Sequence, residues 1–125
     1  MRGASVCATL LAGLATAASA QPAGDPVAGR AAYEARCGGC HSVDADRVGP
    51  RHAGLIGRRA GSVPGYDYSP ALARSRLVWD ARNLDRWLQN PEALIPGQQM
   101  GYRLEDAAVR ADIVAFLGTL RASGR

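Results

Sequence analysis

Apolar residues recur at helical spacing in several short stretches, and nowhere do they alternate with the two-residue period of a half-buried strand. Asp25-Pro26 opens the first stretch: aspartate can cap free N–H groups, and proline suits a first helical turn. Ala28, Gly29, Ala32, Tyr33 and Cys37 then fall along one face. A glycine inside a helix costs about 1 kcal/mol relative to alanine, so close packing of another helix at Gly29 is the expected compensation. Ser69-Pro70 begins a short helix running to about Ser75, and Asp80 caps another with Leu84, Trp87 and Leu88 inward, stopped by Asn90-Pro91. The last helix is expected from about Glu105 to Ala122, with Val109, Ile113, Phe116, Leu117 and Leu120 as its apolar stripe. Between the first and second helices, Ser42 to Tyr68 carries seven glycines and prolines and no sustained period. So long a loop is unusual in a compact domain, unless it wraps a large rigid body. The pattern predicts an all-α fold, without repeats or a second domain.

The first twenty residues change the picture of what folds. Arg2 is followed by mostly small or apolar residues through 15, and Ala18-Ser19-Ala20 resembles an export cleavage site. The apolar run is too short to cross a bilayer, which takes about 20 residues. The expectation is a cleaved signal peptide over 1–20 and one domain over 21–125, in the bacterial periplasm, with no stable membrane insertion. Loss of Cys7 would leave a single cysteine pair and no structural disulfide. All fifteen basic residues are arginines, against eleven acids. Such a modest excess, without basic clusters interleaved with stacking aromatics, excludes nucleic-acid binding.

The pair that remains carries the chemistry. Cys37-Gly38-Gly39-Cys40-His41 is the attachment pattern of a c-type haem. Thiols three positions apart can both reach one edge of a porphyrin and bond its vinyl groups, and the next imidazole can then ligate the iron. Gly38 and Gly39 keep side chains out of the way. A zinc site would need a second ligand pair, which the chain lacks, and a thioredoxin-like redox motif would need a βαβ context. Gly49-Pro50 follows closely enough to fold back on His41, where a carbonyl could accept the Nδ1 proton. For the second axial position the candidates are Met100, presented by the Ile95-Pro96-Gly97 turn, and His52, a weaker one expected to pack on the haem edge or face solvent.

With these pieces placed, the chain resembles a class I cytochrome c of the mitochondrial and bacterial short-loop type. The resemblance runs from Gly29 to Leu120. It is carried by Gly29 with Tyr33, the Cys37–His41 motif, Gly49-Pro50, Gly57-Arg58-Arg59-Ala60-Gly61 and Pro64-Gly65-Tyr66-Asp67-Tyr68-Ser69. Leu77-Val78-Trp79, Leu88-Gln89-Asn90-Pro91, Ile95-Pro96-Gly97, Met100 and Phe116-Leu117 complete it. The resemblance implies one covalent haem c anchored by Cys37 and Cys40, with His41 and Met100 on the iron. Pro50 would hold His41, while Arg58, Tyr68 and Trp79 would hold the buried propionates. Gly29 and Tyr33 would cross against Phe116. The chain departs from the family pattern at Gln98, where a threonine is usual, at Leu72 for asparagine and at Trp87 for tyrosine. His52 stands where an apolar haem-packing residue is usual, and Glu105-Asp106 where mitochondrial members carry lysines.

The implied function is one-electron transfer by a monomer between redox proteins, with no substrate at the iron because both axial positions are filled. A haem subunit of a periplasmic dehydrogenase shares this chemistry; a peroxidase-like enzyme would need an open iron and a distal acid–base pair, which the chain does not display. Docking is expected at an exposed haem edge near Arg36, Arg51 and Tyr102.

Overall fold

The computed structural model describes residues 23–122, so the expected signal peptide, its cleavage site and Cys7 lie outside the described residues. Five helices follow one another: α1 (Pro26–Arg36), α2 (Pro70–Arg74), α3 (Ala81–Gln89), α4 (Pro91–Leu94) and α5 (Ala107–Thr119). Among the described residues the only sheet-like pairing is an isolated antiparallel bridge between Arg59 and Val78, which makes the domain all-α.

Local chemistry sets most helix ends. Asp25 caps α1 by accepting from Val27 N–H, Ser69 caps α2, Asp80 caps α3, and Asp106 accepts from both Ala108 and Val109. That last cap corrects the expected start at Glu105: a residue whose side chain serves the free N–H groups stands outside the helix, which therefore begins at Ala107. The helix also stops before Ala122, because Leu120 turns extended and its carbonyl accepts from Gly54 N–H at 3.2 Å. Asn90-Pro91 ends α3, yet Asn90 also caps the one-turn α4 by accepting from Ala93 N–H.

The ends of the domain meet where α1 crosses α5. A Cβ on Gly29 would stand 1.9 Å from the Asp112 carbonyl oxygen, so glycine is what lets the two backbones touch. Asp25 N–H donates to the Asp112 carboxylate at 2.7 Å, and the rings of Tyr33 and Phe116 lie 5.2 Å apart. Ala28, expected on the inner face of α1, is exposed, whereas Gly29 and Tyr33 are buried and Ala32 and Cys37 pack half-buried against the core. α3 packs its Leu84, Trp87 and Leu88 beside Ile113, Val114 and Leu117 of α5 in one core. Arg110, on the α5 surface facing α3, is buried and bonds Asp85 at 2.8 Å and the carbonyls of Leu104 and Glu105.

The long loop closes the other side. Gly57 N–H donates to Trp79 O at 2.8 Å, Trp79 N–H to Arg58 O at 2.9 Å, and Ala60 N–H to Leu77 O at 2.8 Å. These bonds tie the loop to the segment before α3 and leave a cavity between them.

Candidate haem site

The attachment motif continues α1 by another turn. Cys37 caps the helix with its N–H on Tyr33 O, and both Cys40 and His41 donate N–H bonds back to Cys37 O, at 3.1 and 2.8 Å. The carbonyls this turn leaves free are gathered by one side chain. Arg47 donates to Gly38 O at 2.6 Å and reaches His41 O at 3.3 Å and Gly39 O at 3.4 Å. A cation also suits the negative end of a helix. Cys37 and Cys40 form no disulfide. Burial pushes the Cys37 thiol up to about 11, with Arg36 pulling the other way and Cys40 adding to the rise.

His41 is oriented by its second nitrogen. Its Nδ1–H donates to Pro50 O at 2.9 Å, which leaves Nε2 as the lone-pair donor for a metal. Burial moves His41 below the ordinary histidine range, against the Pro50 bond and with a smaller push from Arg47, so the ring is neutral as a ligand must be. Gly49 matters for space: a Cβ there would fall 2.0 Å from His41 Cε1.

His52, expected on the haem edge or in solvent, is half-buried and lines the cavity. Its ring stacks on His41, with centroids 4.2 Å apart and planes 22° from parallel, and a hydrogen bond of 2.9 Å joins its Nδ1 to the Tyr33 hydroxyl. Burial first, then the neighbouring His41 and Arg58, push it down to about 3.

Met100 faces the same cavity as His41. The turn before it needs Gly97, whose φ of +88° is the left-handed region glycine favours. Side chains then fix the turn: Glu92 accepts from Gly97 N–H at 2.9 Å and from the Gln98 amide at 3.4 Å, while Gln98 Oε1 accepts from Met100 N–H at 2.5 Å. Polar support for the methionine thus comes through Gln98 and Glu92, with Leu72 and Trp87 as apolar wall. Glu92 was not legible as part of the site, since nothing in its local pattern points to a turn five residues on. Arg47 was not legible either, since it stands well past the end of α1 and reaches the motif only when the loop folds back.

The cavity has a volume of about 470 Å³, and its walls include Cys37, Cys40, His41 and Met100. Leu55, Leu72, Trp79, Leu84, Trp87, Leu88, Ile113 and Leu117 make most of the remaining wall apolar. Arg58 and Tyr68 supply polar points on the same lining. The Arg58 guanidinium donates to Ala53 O at 3.0 Å and Arg51 O at 2.8 Å; no carboxylate lies within ion-pair distance of it among the described residues. A guanidinium has five N–H donors, so donors remain for an anionic group inside the cavity. The Tyr68 hydroxyl accepts from Val63 N–H at 3.2 Å. Two thiols at one rim, a neutral imidazole and a thioether facing one apolar space, and an arginine with spare donors fit a covalently held haem with buried propionates.

The family profile of cytochrome c matches residues 26–121, and the chain belongs to the cytochrome c family. It is similar to cytochrome c2 of Rhodomicrobium vannielii, 43% identical over 112 residues, covering 86% of this chain and 89% of that one. Cytochrome c2 of Rhodopila globiformis is 40% identical over 103 residues, covering 80% of this chain and 97% of that one. Among solved structures, cytochrome cH from Methylobacterium extorquens superposes with a TM-score of 0.72 at 38% identity, covering 77% of this chain and 99% of that one. As a member of the family, the chain carries one covalently attached haem c.

Proposed function

We propose that this protein is a periplasmic one-electron carrier whose haem iron is held by His41 and Met100. The observation that carries the reading is the cavity itself: a neutral imidazole, fixed through Pro50, and a thioether, fixed through Gln98, face one apolar space. A haem c bound there supplies the one-electron couple of its iron. Cys37 and Cys40 anchor it, and the apolar wall excludes water and so limits the reorganisation that accompanies a change of charge. Arg58, with Tyr68 and Trp79 beside it in the lining, compensates the propionates, whose burial unpaired would be costly. With two protein ligands on the iron, a substrate can bind there only by displacing one, which favours transfer over catalysis.

Partners approach at the open side of the cavity, where Arg36, Val48 and Tyr102 are exposed. Arg51 contributes less than its charge suggests, because it is paired with Asp46 at 2.9 Å. Attraction of acidic partners is therefore local and falls only modestly with salt. Among the described residues no helix is long and apolar enough to cross a membrane.

The test is a visible spectrum with a redox titration of the holoprotein. The ferric form should show the weak far-red band of an iron–sulfur bond, and Met100→Ala should abolish it and lower the potential. Retention of the band in that variant would rule out Met100. Rapid peroxide turnover by the native form, with poor electron exchange, would overturn the carrier reading in favour of an enzyme. Mass spectrometry of the periplasmic product should find Gln21 or its cyclised form at the N-terminus.

A further inference from the structure

Against the ring of His41 the chain keeps a polar pair where two apolar side chains would fill the same space. Tyr33, only 4% exposed on α1, shares a 2.9 Å hydrogen bond with His52 of the long loop. The His52 ring lies nearly parallel to His41 at 4.2 Å, and Tyr33 meets His52 edge-on at 5.6 Å. Tyr33 is braced from behind by Phe116 of α5 at 5.2 Å. One line of ring contacts therefore runs from the helix crossing to the imidazole that Pro50 holds by its other side.

The two constraints on His41 are different in kind. A hydrogen bond from Nδ1 fixes one ring atom in direction but leaves the ring free to tilt about that line. A parallel ring packed on its face removes the tilt. His52 can act in this way only if its own plane is fixed, and the Tyr33 hydroxyl does that. A buried hydroxyl and imidazole are tolerated when bonded to each other, yet replacing both by apolar groups of like shape is close to neutral for stability. What the polar pair adds over two apolar side chains is a fixed orientation beside the imidazole.

We propose that Tyr33 and His52 are positioning residues for His41, acting as one hydrogen-bonded unit that sets the plane of the proximal imidazole and the polarity around it. This rests on the ligation of iron by His41 proposed above. The plane of an axial imidazole decides how unpaired spin spreads over a ferric haem, so it is read directly in the paramagnetic shifts of the haem methyl groups. The polarity beside the ligand bears on the potential, since a polar shell favours the more highly charged ferric state.

The experiment uses the holoprotein and three variants, His52→Leu, Tyr33→Phe and the two together, compared by ferric haem-methyl shifts, midpoint potential and thermal unfolding. His52→Leu should reorder the methyl shifts and raise the potential. The expected change is about threefold in the oxidised-to-reduced ratio, or roughly 28 mV at 59 mV per tenfold for one electron. Tyr33→Phe should move both readouts in the same sense by less, and should add nothing in the His52→Leu background. Single variants that lose stability while keeping wild-type shifts and potential would overturn the proposal, because packing alone would then account for the pair. Strictly additive effects would overturn it too, since the residues would not act as one unit. Failure of His41 ligation is a separate outcome, visible in the unmutated protein as a ferric spectrum that is not low-spin.

Discussion

Gly29→Ala isolates the contact that brings the two ends of the domain together. The added methyl would stand 1.9 Å from the carbonyl oxygen of Asp112, 2.5 Å from its carbonyl carbon and 3.0 Å from Phe116 Cβ. An unforced carbon–oxygen contact is about 3.4 Å, so α1 must retreat by roughly 1.5 Å or tilt, the obstacle being helix backbone rather than a side chain that can rotate away. Overpacking of this kind costs about 3 kcal/mol at the upper end of its range. Separation also breaks the exposed bond from Asp25 N–H to the Asp112 carboxylate, worth about 1 kcal/mol. The helix propensity of alanine returns about 1 kcal/mol, leaving a net loss of about 3 kcal/mol. At about 4–8 °C per kcal/mol for a domain of this size, the thermal midpoint should fall by about 12–24 °C, followed by far-UV circular dichroism of the holoprotein. Gly118→Ala is the control: it lies in the partner helix α5 with nothing within 4 Å of its new methyl, and should stabilise by up to about 1 kcal/mol. A Gly29→Ala protein that melts at or above wild type would refute the reasoning.

Arg110→Ala leaves Asp85 and two carbonyls without their donor; urea unfolding should show a loss of about 3–5 kcal/mol, and Asp85→Asn a smaller one because that side chain is partly exposed. Burial, with a contribution from Cys37, raises Tyr33 to about 12 from an ordinary 10. A raised tyrosine favours the folded state fully below pH 10, and that advantage is lost as pH climbs towards 12. Stability measured across that window should therefore fall less steeply in Tyr33→Phe than in wild type; identical slopes would exclude Tyr33 as a source. Glu92→Ala removes the acceptor shared by Gly97 and Gln98, so the iron–sulfur band should vanish at a lower pH than in wild type, as a pH titration of the ferric spectrum would show.

Helix starts were legible because their causes are local. Asp25, Ser69 and Asp80 each serve N–H groups two or three residues away, and the attachment motif lies within five consecutive positions. What escaped the sequence depends on partners that are distant or on elements too short to repeat. Arg110 follows directly on the predicted stripe residue Val109 and gives no local sign of burial; its carboxylate partner is 25 positions away. His52 meets Tyr33 across 19 positions, so its place against His41 emerges only when α1 and the loop are folded together. Asn90-Pro91 read as a stop, correctly for α3, but a single turn such as α4 holds too few residues to show a period.

The cavity walled by the long loop also dictates an order of events during biosynthesis. Without its prosthetic group, a largely apolar space of about 470 Å³, open on one side, would stand exposed to water. The bare polypeptide consequently gains less by folding than the haem-bound one, whose apolar wall is covered. Attachment of the haem is therefore expected to precede folding, and the chain without haem should lack the far-UV circular dichroism of the five helices.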